Sequence, residues 1–375
     1  MDAPSDEKAQ PAAGSAPSIS LPKGGGAIRG IGEKFAANPV TGTGAMTVPL
    51  ATSPGRSGFG PQLSLSYDSG AGNGPFGIGW DLSLPAITRK TDKGLPQYRD
   101  PEESDVFLLS GSEDLVSVLE TQNGASVRQS VERTVAGEVY VVHRYRPRIE
   151  GLFARIERWT RKQDGDTHWR SISKDNVTSF YGKSGESRIA DPQDPLRVFS
   201  WLICESYDDK GNAIVYDYVA EDAAGVDLAQ AHEHNRSATG RSASRYLKRI
   251  RYGNTPSRLI QPALSQLAWL FEVVFDYGEG HYQALPPDAQ GREFVQASPA
   301  ASQLWPVRQD PFSSYRSGFE VRTYRLCRRV LMFHHFPDEL GVPDCLVRAN
   351  EFSYRETPIA PRITSVTQSP TRIAI

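Results

Sequence analysis

Between residues 24 and 98 short alternating runs are cut by glycine-dense turns, a spacing that suits β-hairpins and little else. In 62–67 the large side chains fall at every second position, so Leu63, Leu65 and Tyr67 share one face. In 78–84 Ile78, Trp80, Leu82 and Leu84 do the same. That is the period of a half-buried strand, whereas a helix needs apolar residues three and four apart. The link between them, SGAGNGPFG, is built from residues that reach positive φ or fix tight turns. At least one of Gly70, Gly72 and Gly74 is therefore expected at positive φ.

The same grammar runs on through AMTVPL, DVFLLS, DLVSVL, EVYVVHRY, HWRSIS, VTSFYG, RVFSWLICES, AIVYDY, YLKRIRYG and WLFEVVFDY. The 33 glycines and 27 prolines fall mostly between these runs. The expectation is an all-β, mainly antiparallel fold: a curved, hairpin-rich sheet with few short helices. Residues 226–236, VDLAQAHEHNR, read as the one short helix, and 321–336 read as a strand. Residues 1–18 are rich in Pro, Ala and Ser and read as a disordered tail. Residues 19–368 read as one β domain, with a subdivision open near 100–200, and 369–375 as a truncated end. The run ITSVTQ near that end reads as a strand whose next neighbour is missing.

Composition excludes more than it selects. The net charge of −2 and the interspersed signs do not fit a nucleic-acid binder. Arg322, Arg325, Arg328 and Arg329 form the nearest thing to a basic stripe, and they read as the solvated edge of a strand. Three unpaired cysteines, Cys204, Cys327 and Cys345, are no disulfide framework. The start lacks the basic and apolar regions of a cleaved signal peptide, and no run is long enough for a membrane span. GGGAIRGIG is an imperfect dinucleotide fingerprint with no strand before it, and reads as a turn. His232 and His234 lack further ligands, and Asp164-Gly165-Asp166 and 208–212 lack the closing glutamate of a calcium loop. His334 and His335 point to opposite faces of a strand, and Cys204 sits in an apolar run. No catalytic, cofactor-binding or metal-binding residue is assigned, and no cofactor is expected.

Three strings, EKFAANPVTGT, SPGRSGFGPQLSLSYDSGAGNGPFGIGW and DVFLLSGSEDLV, occur in that order. They carry Asn38, Pro39, Gly42, Pro54, Gly55, Arg56, Gly58, Gly70, Gly72, Asn73, Gly74, Pro75, Gly77 and Trp80. Together they resemble the amino-terminal domain of the SpvB family of Salmonella plasmid virulence proteins, a domain that also opens the B subunit of insecticidal toxin complexes (Tc). The likeness extends from about residue 19 to 368. SYDDKGNAIVYDY, with Tyr207, Asp208, Gly211 and Asn212, and its partial echo RYLKRIRYGN resemble the tyrosine–aspartate repeats of Rhs shells.

The resemblance implies a non-enzymatic shell component of a secreted, virulence-associated Tc-like toxin complex. It would be made in the cytoplasm, would leave without a standard signal peptide, and would work outside the cell. Its partners would be Tc A- and C-type subunits and Rhs-repeat chains. In the family the chain would run on beyond RIAI into a propeller and Rhs repeats. A second reading is a delivery domain whose ADP-ribosylating domain is not in this chain. Such transferases use a Glu-x-Glu pair, and none of the 21 glutamates here stands two residues from another. A third, a sugar- or receptor-binding module, would need exposed tryptophans such as Trp159, Trp169 and Trp305, for which core packing is the better account.

Overall fold

The computed structural model describes residues 34–37 and 42–370, apart from 112, 150, 152, 292 and 293. Asn38, Pro39, the tail 1–18 and residues 371–375 lie outside the described residues. The alternating runs become strands, and every pairing among them is antiparallel. The one α-helix among the described residues is Pro337–Leu340.

Eight strands close on themselves. Ala86–Arg89, Phe107–Leu109, Glu113–Ser117, Glu138–Pro147, Arg155–Arg161, Thr167–Ile172 and Thr178–Tyr181 are hydrogen bonded in that order. The long strand Asp194–Tyr207 pairs with Thr178–Tyr181 and with Ala86–Arg89, and so completes the ring. Closure leaves no unpaired ladder within it. Alternation sends Ile87, Phe107, Leu115, Tyr145, Ile156, Trp169, Tyr181 and Trp201 into one core cluster. Ring centroids lie 5.0 Å apart for Phe107 and Trp169, 4.9 Å for Tyr145 and Trp169, and 5.8 Å for Phe107 and Trp201. These tilted and edge-on contacts are the arrangements aromatic quadrupoles favour.

The last residues of Asp194–Tyr207 pair with Thr178–Tyr181 on one side and with the next strand on the other, so the same sheet runs on beyond the ring as an open sheet. Ala213–Ala220, Arg245–Thr255, Ala268–Asp276, Arg329–His334, Cys345–Arg355 and Arg362–Pro370 follow in spatial order. This sheet does not close: Arg362–Pro370 pairs only with Cys345–Arg355 among the described residues. A small amino-terminal sheet of Lys34–Ala37, Gly44–Leu50, Leu63–Asp68 and Trp80–Leu82 covers it. Val48, Leu65 and Leu82 share a core with Ile250, Val273 and Val330.

Four expectations need correction. Residues 226–236 form turns and a single 3-10 turn, Ala231–Glu233, instead of a helix. Asp227 Oδ1 accepts from the Ala229 N–H, a local bond that competes with helix, and Glu233 is pulled into a buried ion cluster. Residues 321–336 are two strands, Val321–Thr323 and Arg329–His334, because Tyr324 and Arg325 between them turn inward to buried carboxylates. Residues 78–84 are likewise interrupted, between Gly77–Ile78 and Trp80–Leu82, by Gly79 at φ 80°. The left-handed glycines of this region are Gly77 and Gly79, and Gly70, Gly72 and Gly74 are not at positive φ. A Cβ on Gly79 would collide with the Tyr67 ring, and one on Gly77 would lie 2.9 Å from Pro361 O.

Candidate functional site

Several family-motif residues lie against the open sheet, where Asn73, Gly74, Pro75 and Arg56 fasten the amino-terminal segment to it. Asn73–Gly74 pairs with Gly77–Ile78 in a minimal hairpin that projects into the sheet's loops. Asn73 Nδ2 donates to Asp310 Oδ2 at 2.7 Å, and Arg308 donates to Asn73 Oδ1 and to Gly74 O at 2.8 and 2.9 Å. Arg308 is buried and also forks onto Asp310, so the turn is read by a desolvated ion pair. Pro75 O accepts from the Cys327 N–H at 2.8 Å, and Pro361 O from the Ile78 N–H at 3.0 Å. Gly70 donates its N–H to Asp68 Oδ1, Gly72 O accepts from the Gly79 N–H while a Cβ on Gly72 would meet open space, and Trp80 packs on Tyr67 with centroids 5.2 Å apart.

A second strap comes from Pro54, Gly55, Arg56 and Gly58. Arg56 Nη2 donates to Asn254 O at 3.1 Å, and Tyr252 Oη donates to Ser53 O at 2.6 Å. Gly55 has no room for a Cβ against Phe59 O, and Gly58 is at φ 76°. Gly42, at φ 71°, is exposed, and a Cβ on it would meet open space.

The tyrosine–aspartate turn is the third. Asp208 Oδ1 accepts from the N–H groups of Lys210 and Asn212, and Asn212 Nδ2 donates to Asp208 Oδ2 at 2.8 Å. Gly211, at φ 84°, offers its carbonyl to Asn254 Nδ2, while Asn254 Oδ1 accepts from the Ala213 N–H. The Arg258 guanidinium lies 3.8 Å from the Tyr207 ring centroid. The two echoes of the repeat are thus neighbouring strands, Ile214 facing Tyr252, locked by the asparagine of the second.

The arginine stripe is the reading that fails most clearly. Arg322 and Arg325 are buried, and Arg328 and Arg329 bind Glu356 and Glu351. Arg325 pairs with Glu221 at 2.6 Å, with both side chains fully buried, and Tyr246 Oη also donates to Glu221. Glu233 receives Arg241, Arg322 and Tyr324. Burial pushes the Glu233 carboxyl up, but these hydrogen bonds outweigh it and hold it at about 2. Sequence reasoning missed Glu221, Glu233, Arg308 and Asp310, and the available signal was the arginines' apolar surroundings, where a charge needs a partner.

Nothing in this arrangement joins a nucleophile to an oriented base. Ser53 Oγ lies 2.7 Å from His334 Nε2, yet no carboxylate bonds the other ring nitrogen among the described residues. Burial holds the His334, His281 and His168 imidazoles below their usual range, His168 at about 4. Burial raises the Cys204 and Cys327 thiols, which keeps them inert. Among the described residues no group of three or more His, Cys, Asp or Glu is placed to hold a metal ion, and no helix is long and apolar enough to cross a membrane. Trp159, Trp169 and Trp305 are buried, so these three offer no surface to a sugar.

Residues 38–336 match the model of the family described as Salmonella virulence plasmid 65kDa B protein, SpvB. The mono(ADP-ribosyl)transferase SpvB of Salmonella choleraesuis strain SC-B67 is 41% identical over 349 residues, 91% of this chain and 54% of that protein. The chain therefore spans about half the length of the curated relatives it matches. The solved N-terminal domain of effector protein SpvB from Salmonella typhimurium strain LT2 superposes with a TM-score of 0.75 at 40% identity, covering 87% of this chain and 98% of that one. The crystal structure of TcdB2-TccC3 superposes with a TM-score of 0.75 at 35% identity, over 94% of this chain and 16% of that one. The Photorhabdus luminescens Tc holotoxin pore contains a chain similar at 36% identity and a TM-score of 0.74, over 94% of this chain and 16% of that one.

Proposed function

The chain belongs to the SpvB family, and from that membership we propose that it is a non-enzymatic structural module of a secreted Tc-like toxin complex. It forms part of a shell that larger Tc A- and C-type or Rhs-repeat chains complete, and it leaves the cell with them. The observation that carries this reading is architectural. The fold recurs over 94% of this chain as only 16% of a much longer chain in TcdB2-TccC3. The motif residues support it, because Asn73, Gly74, Arg56, Asp208 and Asn212 serve as clasps and none of these is disposed as a reacting group. Co-expression with a Tc- or Rhs-type chain of the same locus tests it: a stoichiometric complex is expected, and independent elution of the two chains would overturn it.

A second reading, the delivery part of an ADP-ribosylating toxin, draws on the transferase name of the relatives. The match to the solved N-terminal domain and the lack of a Glu-x-Glu pair favour the view that this stretch itself does no chemistry. Incubation with labelled NAD and host lysate should label no protein, and a labelled band dependent on this chain would overturn that part of the reading.

A further inference from the structure

One loop of the open sheet is tied down by a single imidazole set between two acids. The connection 335–344 links Arg329–His334 to Cys345–Arg355 and carries the helix Pro337–Leu340. His335 stands at its start, and its main-chain N–H donates to Leu270 O at 3.0 Å, which seats the residue against Ala268–Asp276. Both ring nitrogens then face carboxylates. Nε2 lies 3.2 Å from Glu272 Oε2, and Nδ1 lies 2.8 Å from Asp344 Oδ1 and 3.3 Å from Pro343 O.

A neutral imidazole has one N–H and one lone pair, so it serves one of these acids and turns its lone pair on the other. The imidazolium donates to both. Glu272 makes the difference costly, because it is buried and His335 is its one hydrogen-bond donor among the described residues. Arg249 Nη1 comes within 3.1 Å of Glu272 Oε1, but without hydrogen-bond alignment. The remaining titratable neighbour is His334, whose Nε2 faces Ser53 Oγ and no carboxylate. The hydrogen bond to Glu272 outweighs burial and, with the charges of Glu272 and Asp344, lifts His335 above 6.5. Burial and the charge of His335 lower His334 instead.

We propose that His335 is a proton-operated latch on this connection. In its charged form it bridges Glu272 and Asp344 and holds 337–344 against Ala268–Asp276. On losing the proton it keeps one partner, and the far half of the loop opens. Phe336 stays packed on Phe271, with ring centroids 5.6 Å apart, so opening begins after it. A group raised above its unfolded value contributes fully below that value and ceases to contribute as pH rises through its own. The latch is therefore closed in mildly acidic surroundings and open in alkaline ones. This goes beyond the shell reading and does not depend on it.

Imidazole NMR of the full chain, with His335→Gln for assignment, reads the proton, and hydrogen–deuterium exchange reads the loop. His335 should titrate above 6.5, and its midpoint should fall in both Glu272→Gln and Asp344→Asn. The Leu340 and Gly341 amides donate to Phe336 O and Pro337 O. Their protection factors, which discount the base catalysis of exchange, should drop about tenfold as pH rises through that midpoint. Amides of the ring strand Thr167–Ile172 should keep theirs. His335→Gln should make the loop's protection independent of pH over the same range. A His335 midpoint at or below 6.5 would overturn the proposal. So would loop protection that ignores the midpoint, or that follows pH equally in His335→Gln. Protection lost in step by Thr167–Ile172 would mark global unfolding and sink the latch as well. The wild-type titration decides the matter even where a variant fails to fold.

Discussion

The closed ring and the open sheet are built from similar strands, yet they treat their edges and charges differently. In the ring every strand has two neighbours, and the buried Arg89 is bonded to Asp100 and Asp105 at 2.6 and 2.7 Å. In the open sheet the interior is as well paired, with Arg325 on Glu221, but among the described residues Arg362–Pro370 pairs on one side only. A closed sheet satisfies its own backbone, whereas an open one leaves an edge to be met by solvent or by a further strand. Closure and openness are thus separated along the sequence, the first in 86–207 and the second in 213–370.

Substitutions should sort by that division. The largest effect is expected at the ring's centre: Trp169→Ala removes a fully buried indole and should cost about 4 kcal/mol, read as a lower urea midpoint. Arg325→Met should cost about 3 kcal/mol by leaving Glu221 buried and short of a partner, and Glu221→Gln added to it should restore part of the loss. Gly79→Val, at φ 80° against the Tyr67 ring, should cost about 2 kcal/mol or more, while Gly72→Val, in open space, should stay within about 0.5 kcal/mol. If Gly72→Val proved the worse of the two, the clasp described for the 73–79 turn would be wrong.

Acid should loosen the ring by a smaller amount. His168 is held neutral in the folded chain, its pKa lowered from 6.5 to about 4 by burial and then by the nearby Arg188 and Lys183. The unfolded chain therefore binds the proton first. This contribution is whole above the unfolded value near 6.5 and is lost as pH falls towards 4, a loss of ~2 kcal/mol by about pH 5. His168→Phe should flatten that stretch of the pH–stability curve, and an unchanged slope would remove His168 from the account. The smallest effect is expected at the edge, where Arg362→Glu in the isolated chain should shift stability by no more than about 0.5 kcal/mol.

Much of this was legible in the sequence, for reasons that differ by region. Period-2 runs such as 62–67 declared strands because one face had to be buried. The tyrosine–aspartate turn was legible because Asp208, Gly211 and Asn212 act locally. Closure of the ring was not, since Thr178–Tyr181 meets Asp194–Tyr207 through a long-range register that no local pattern encodes. The glycine density of SGAGNGPFG located the turn but not its strain, which fell on Gly77 and Gly79 because those two approach Pro361 and Tyr67. The arginines at 322 and 325 misled because their carboxylates, Glu233 and Glu221, lie about 90 to 100 residues away in sequence. The same distance hid the reason residues 226–236 fail as a helix.

Hydrogen–deuterium exchange of the full chain, alone and with a Tc- or Rhs-type partner, tests the division between closed and open sheets most directly. The amides of the ring strands, such as Thr167–Ile172, should be protected in both states. Those of Arg362–Pro370 that face away from Cys345–Arg355 should exchange fast in the isolated chain and become protected in the complex. Protection at that edge before any partner is added, or a complex that leaves its exchange unchanged, would contradict the account.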